Sequence, residues 1–242
     1  MSTHPARLPF EQVQPRWDDL SYSVRRYFVD EFYTRHVGAL TKGARVIDVG
    51  GIKGRKRGQF DIDRHDVSVT CVNTSRAAEP DVVADASSIP LPSGEADAVI
   101  LAEVVEHLSD PVAALREAAR LLRRGGVLLA TAPFLFRVHP DPIDIGRYTP
   151  QWWQDTLSRQ GFQEIVVEQQ GLFFSVLAEM LRGWVYHLED TKRYWPGARD
   201  QAIGFVRWAR EQAILFESAP ERTSNSYYTS YATGYGIRAV KP

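Results

Sequence analysis

Val46-Ile47-Asp48-Val49-Gly50-Gly51-Ile52-Lys53-Gly54 is an apolar strand that runs straight into a carboxylate and a glycine-rich turn. Glycines there let backbone N–H groups approach a ligand at the carboxyl end of a parallel strand, where open α/β sheets bind small molecules. The stretch therefore points to a nucleotide-like ligand. Its glycines do not follow the dinucleotide spacing G-x-G-x-x-G: counted from Gly50, Ile52 and Arg55 stand where the later glycines belong, which argues against NAD and FAD. Taken alone, the stretch is equally consistent with a structural turn that binds nothing.

The rest of the chain sets the frame. Its 242 residues are 44% hydrophobic and 24% charged, which suits one α/β domain with a modest insertion and a sizeable core. A net charge of −1 supplies no global field for nucleic acid or anionic membrane, so a small-molecule substrate is expected and neither of those partners is. The single Cys71 can build neither a disulfide framework nor a zinc spacing. Met1-Ser2-Thr3-His4-Pro5 shows no apolar signal region and no apolar run reaches the ~20 residues of a membrane helix, so a cytoplasmic location is expected.

Hydrophobic periodicity predicts one or two amphipathic helices over 17–40, then strands at 45–49, 67–72, 81–84, 98–101 and 127–132. Asp110-Pro111 opens a helix over 112–122 that Gly125-Gly126 should end, and Thr149-Pro150 caps a second over 151–160 before a sixth strand at 164–168. Strands alternating with helices indicate a parallel sheet wound on both faces. Residues 172–216 read as helical with a break at Trp195-Pro196-Gly197, and 227–241 as a closing strand. The helix expected between Gly51 and Asp66 has no clear apolar stripe, so that stretch should be short or irregular.

Downstream of the glycine turn come Pro80-Asp81-Val82-Val83-Ala84-Asp85-Ala86, Ile89-Pro90-Leu91-Pro92, a strand from Ala96 that leads into Glu103-Val104-Val105-Glu106-His107-Leu108, and Arg120-Leu121-Leu122-Arg123-Arg124-Gly125-Gly126. With Asp48, Gly50 and Gly54, these four ordered motifs resemble the class I S-adenosylmethionine (SAM) dependent methyltransferases of the methyltransferase type 11 kind, over about positions 44–170. Ile52 replaces that family's middle glycine. The resemblance implies a Rossmann-like doubly wound α/β fold, with a mostly parallel seven-stranded sheet whose last strand runs antiparallel beside the sixth. It divides the single domain into an N-terminal helical cap (1–42), a SAM-binding core (43–170), a helical insertion (171–226) and the closing strand (227–242).

SAM is the cofactor implied. The family holds its amino-acid head with residues matching Asp48, Gly50, Gly51 and Gly54. The acid that accepts the ribose diol falls on Asn73, an amide that can bind a diol without charge assistance, with Asp61 and Asp63 as the nearest spare acids. Asp85 and Ala86 match the adenine contacts, although Asp85 could equally form a turn ahead of Ser87 and Ser88. Glu103 and His107 follow the fourth strand, where the family's backbone lines the methionine moiety, and His107 is as readily a packing residue. Arg55, Lys56 and Arg57 could attract an anionic substrate or form a solvated loop.

The loop Pro133-Phe134-Leu135-Phe136-Arg137-Val138-His139-Pro140-Asp141-Pro142-Ile143-Asp144-Ile145-Gly146-Arg147-Tyr148-Thr149 resembles one found in a subset of these enzymes. His139, Asp144 and Arg147 there offer a base, an orienting acid and a cation for methyl transfer to a hydroxyl. The alternative is an Asp144–Arg147 ion pair that fixes the loop while His139 packs on it. No two-histidine-plus-carboxylate spacing is evident, so no metal is expected. Phe173, Phe174, Trp184, Tyr186, Trp195, Phe205 and Trp208 form an aromatic-rich insertion that suits core packing or substrate recognition. The function expected is methyl transfer to a small molecule, foremost at an oxygen of a sugar, polyketide or similar metabolite, and the chain allows a homodimer. Transfer to nitrogen, carbon or RNA, and binding without catalysis, are the alternatives.

Overall fold

A computed structural model describes residues 8, 19–54, 58–140, 143–186, 197–217 and 226–242. Arg55–Arg57, Asp141, Pro142 and Trp195 lie outside the described residues. The sheet has seven strands: β1 (Ala44–Val49), β2 (Val67–Asn73), β3 (Val82–Val83), β4 (Ala96–Ala102), β5 (Leu122–Pro133), β6 (Gln163–Gln170) and β7 (Gly234–Val240). Their order is β3-β2-β1-β4-β5-β7-β6. β1 pairs parallel with both β2 and β4, and β7 is inserted antiparallel between β5 and β6. The fold is the Rossmann-like doubly wound sheet with an antiparallel last strand. Strand order reverses between β1 and β4, the switch point outside whose carboxyl ends such sheets place ligands.

β4 explains why the centre of the sheet is so well defined. Val99 and Leu101 project into the core roofed by helices α2 (Pro111–Leu121) and α3 (Pro150–Arg159), while Ala98 and Ile100 project into the core beneath helix α1 (Val24–Gly38). A strand buried on both faces reads as a continuous apolar run, as Ala98-Val99-Ile100-Leu101 does. Asp110 caps α2 by accepting from the Ala113 N–H, with Pro111 in the first turn. Two further helices, α4 (Phe173–Tyr186) and α5 (Ala198–Glu217), form the insertion and meet α1 through Val24, Phe28, Ala178 and Ala209.

Three expectations need correcting. Helix α1 is not amphipathic: Phe32 and Tyr33 are buried, and so are Arg25, Asp30, Glu31, Arg35 and His36. Its charges face inward because partners await them. Arg35 bonds both Glu31 and Glu168, and His36 reaches Glu168 at 3.2 Å. Second, Gly125-Gly126 does not end the helix, which gives way to strand at Leu122. The pair instead forms an irregularity inside β5, where Gly125 has φ +72° and pairing with β4 shifts register between Ala96 and Ala98. Third, the closing strand is shorter than expected, because Ser226–Thr229 is the helical turn α6 and β7 begins only at Gly234. Between Gly51 and Asp66 the helical turn among the described residues is the 3-10 turn Ile62–Arg64, in keeping with an irregular stretch. No described helix is long and apolar enough to cross a membrane.

The Arg35 network carries a test of the α1–β6 contact. Two hydrogen bonds hold the Glu168 carboxyl at a pKa of about 2 despite its burial, with His36 and Arg35 donating. Arg35→Ala strands Glu31 and Glu168 as uncompensated buried charges. It should cost about 3–5 kcal/mol in urea unfolding, the range for breaking one side of a buried ion pair.

Candidate active site

The carboxyl ends of β1 and β4 lie side by side, with Val49 opposite Leu101. At the β1 end, Gly50 takes φ +85° and donates its N–H to the Val72 carbonyl at 2.7 Å. A Cβ at Gly50 would stand 2.5 Å from Val104 Cγ2, and one at Gly51 would stand 2.2 Å from Asp48 Oδ2. Only glycine therefore lets this loop fold down on Asp48 and against the chain leaving β4. Gly54, with φ +68°, completes the turn.

Among the described residues no hydrogen-bond donor reaches the Asp48 carboxylate, and burial alone pushes its pKa up to about 6. The carboxylate is part-exposed, so a cationic or N–H partner from outside the chain can reach it.

Asn73, the residue in the ribose-acid position, is turned into the glycine loop. Its Nδ2 donates to the Gly51 carbonyl at 2.9 Å, and its Oδ1 accepts from the Ser75 N–H at 2.9 Å, which leaves one lone pair for a ligand. Asp61 caps the 3-10 turn through the Asp63 N–H and meets Arg64 at 3.1 Å. Asp85 accepts through Oδ1 from both the N–H and the hydroxyl of Ser87, the turn geometry foreseen for it, and Ala86 beside it is buried.

Glu103 sits at φ +55° directly after β4, and its side chain is committed to Arg25 in a buried two-pronged ion pair. Burial opposes its ionisation, yet the Arg25 guanidinium outweighs that and holds the carboxyl below its ordinary value. Its contribution to a ligand is therefore the backbone. Glu103 and Val104 lead into a second 3-10 turn, Val105–His107.

Across from that turn the loop after β5 brings His139, Asp144 and Arg147 together. Arg147 grips Asp144 with both terminal nitrogens, at 2.5 and 2.7 Å. That grip is the main reason the Asp144 carboxyl lies well below the usual range. Asp144 Oδ2 also accepts from the His139 N–H at 2.9 Å and stands 3.0 Å from His139 Nδ1. The ion pair fixes the loop and orients the imidazole at the same time.

Sequence reading missed Glu106. It is 0% exposed, and both carboxyl oxygens lack a hydrogen-bond partner. Burial pushes it up to about 8, with the charge of Glu103 adding to the effect. His107 and His139 stand beside it, with Nε2 atoms 3.7 and 3.9 Å from Glu106 Oε1. The one available signal was the Glu-His pair placed directly after a central strand. Its third member, His139, is remote in sequence and not recoverable from spacing.

Residues 47–130 match the family described as "Methyltransferase domain". That stretch, about a third of the chain, is similar to a methyltransferase domain. Two curated relatives from Mycobacterium tuberculosis, both described as probable SAM-dependent methyltransferases, are 32% identical over 89 residues. That alignment covers 37% of this chain and 31% of theirs, so the chain spans about a third of the length of the relatives it matches. Among solved structures, the [4+2]-cyclase SpnF aligns over 100% of this chain and 88% of its own with a TM-score of 0.56 at 19% identity. A SAM-dependent methyltransferase from Archaeoglobus fulgidus aligns over 89% and 94% with a TM-score of 0.55 at 16% identity. At those identities the likeness is one of fold.

Two outcomes follow for the glycine loop. A carboxyl whose folded pKa exceeds its unfolded value near 3.9 binds protons more tightly in the native state, so it costs stability as pH rises through about 6. Asp48→Asn should therefore raise the stability of the ligand-free protein at pH 7 by about 1–3 kcal/mol, while the difference from the parent vanishes near pH 4. Thermal melts at both pH values would show it. Asn73→Asp removes the donor to Gly51 and sets a charge against that carbonyl, so it should weaken the loop by about 1–3 kcal/mol in the same assay. An unchanged or higher melting temperature would mean that the amide contact is not what holds the loop.

Proposed function

We propose that the chain is a SAM-dependent methyltransferase acting on a small-molecule acceptor, at an oxygen. The observation that carries this reading is the unpartnered Asp48 carboxylate under a glycine loop at the sheet's switch point, on the same edge as an Asp144-oriented His139. The residues fit the cofactor: Asp48 lacks the cationic donor that an α-ammonium group would bring, and the Gly50–Gly51 backbone leaves room beside it. Asn73 keeps one lone pair for a hydroxyl, Asp85 and Ala86 flank the expected adenine position, and the Glu103 backbone borders the same edge.

SAM supplies, when bound, a methyl group on an already activated sulfonium, so the protein's own work is alignment and removal of the acceptor's proton. His139 is the group that takes it. Asp144 seats the residue by accepting its backbone N–H, and the Arg137 carbonyl at 3.3 Å from Nδ1 takes that side of the ring, which leaves Nε2 as the basic atom, while Arg147 keeps Asp144 ionised. Phe134 and Phe136 begin the loop that carries His139 and offer apolar surface near it, Phe136 in ring contact with His139. With the acceptor it naturally uses, His139→Ala should lower turnover by ~10²–10⁴ while SAM affinity stays near that of the parent. Near-parental turnover in the variant would reduce His139 to a loop residue.

One specific observation favours a second reading, binding without methyl transfer: Asn73 takes the place of a diol-binding acid and is itself bound into the loop. A solved cyclase shares the fold. Calorimetry with SAM and with its demethylated product, followed by an acceptor screen, separates the two, since binding with no methylated product from any acceptor class supports the second.

A further inference from the structure

Glu106, His107 and His139 have a geometry that methyl transfer does not require. Three potential ligand atoms, one carboxylate oxygen and one nitrogen from each ring, lie within 4.8 Å of one another. Glu106 Oε1 stands 3.7 Å from His107 Nε2 and 3.9 Å from His139 Nε2. These separations are too long for hydrogen bonds. They are a few tenths of an ångström wider than the ~3.3–3.4 Å that a tetrahedral ion with ligands at ~2.0–2.1 Å imposes.

The remaining ring atoms are arranged as metal-binding histidines require. His107 Nδ1 stands 2.5 Å from the Ile143 carbonyl, and His139 Nδ1 stands 3.3 Å from the Arg137 carbonyl with Asp144 Oδ2 at 3.0 Å beside it. Each carbonyl fixes the proton on Nδ1 and so leaves the Nε2 lone pair on the side of Glu106. A backbone carbonyl behind each ring is a usual outer support of such ligands. Glu106 supplies an independent sign: it is fully buried and neither oxygen has a partner, a costly arrangement for a group that no fold contact needs. The two rings are part-exposed, so the cluster has an open side.

We propose that Glu106, His107 and His139 bind a divalent transition-metal ion of the zinc class, with one carboxylate and two Nε2 ligands and an open position toward the loop surface. Nitrogen-rich ligation with a single carboxylate favours such ions over magnesium or calcium, which prefer oxygen. Ion binding stands apart from the methyl-transfer reading. Only its consequence rests on that reading: a bound ion would occupy His139 Nε2 and would itself hold the acceptor oxygen, in place of the free imidazole. Cys71, the one thiol, is buried on β2 with its pKa pushed up to about 11 by burial, so it should not compete.

The test uses the full chain freed of metal by a chelator and titrated with Zn²⁺ alone by calorimetry and with Co²⁺ alone by visible absorption. The parent should take up one ion per chain with micromolar or tighter affinity, and Co²⁺ should give the intense bands of a low-coordinate site. Glu106→Gln, His107→Ala and His139→Ala should each weaken uptake at least tenfold, and Asp144→Asn should weaken it ~10–100-fold through the support it gives His139. Unchanged melting temperatures in Glu106→Gln would show that the loss is not unfolding. No uptake by the parent at tens of micromolar protein, or undiminished uptake in the Glu106→Gln, His139→Ala double variant, overturns the proposal. SAM calorimetry on the same samples keeps the two readings apart, because SAM binding without ion uptake overturns only the metal site, and ion uptake without SAM binding only the methyltransferase assignment.

Discussion

Arg25 is the residue on which the site's geometry turns. Buried in the first turn of α1, it grips both oxygens of Glu103 and also reaches Gln170 at the end of β6. Glu103 holds a backbone conformation, φ +55°, that a side-chain-bearing residue adopts only when its surroundings insist. That conformation sends the chain off β4 into the turn that carries Glu106 and His107, while the Glu103 N–H still reaches the Thr131 carbonyl on β5. One ion pair thus ties the N-terminal helix, the two central strands and the end of β6 to a single corner. Without Arg25, the Glu103 carboxyl at a strained residue would keep only the Thr131 hydroxyl and the Arg26 charge to offset its burial.

The same corner separates carboxylates that the fold has neutralised from those it has not. Glu31, Glu103, Glu168 and Asp144 each face an arginine, and the last three are held below the usual carboxylate range. Glu106 is buried and Asp48 part-buried, neither has such a partner, and both are pushed toward the neutral form. A low-dielectric interior makes that contrast expensive, so the two unsatisfied groups mark where an external ligand would repay the most. They stand on either side of Val104, whose side chain seals against Gly50. The glycine loop and the Glu106 cluster are therefore joined through one turn.

Most of the sheet was legible because it is written in local pattern. β1, β2 and β4 are short apolar runs ended by Asp, Asn or small residues, and Asp110-Pro111 and Thr149-Pro150 are helix starts whose caps form as the residue types dictate. What escaped was written in pairs far apart. α1 resembles a surface helix because Arg25, Glu31, Arg35 and His36 are charged, and only β6 and the Glu103 corner, many residues downstream, turn that polarity inward. Asn73 was placed by position, but its donation to the Gly51 carbonyl shows only in the fold. Asp48 and the glycines could be placed because a strand, a carboxylate and a turn adjoin in sequence. The Glu106 cluster could not, because its members join only when the loop after β5 folds back over β4.

The aromatic residues of the insertion complete the division of labour. Phe173 and Phe174 contact each other, and with them Tyr227, Tyr228, Tyr231, Phe216 and Trp208, in a continuous set of edge and tilted ring contacts. Those contacts are what a small helical layer needs to hold α4, α5 and the approach to β7 together, and they draw the rings toward one another rather than toward the β1–β4 edge. The inner end of the loop after β5 is anchored by the Ile145 and Gly146 N–H groups on the Glu106 carbonyl. The residue whose carboxyl is unsatisfied is thus also the residue whose backbone seats that loop. Any ligand drawn to the carboxyl would therefore act directly on the position of that loop.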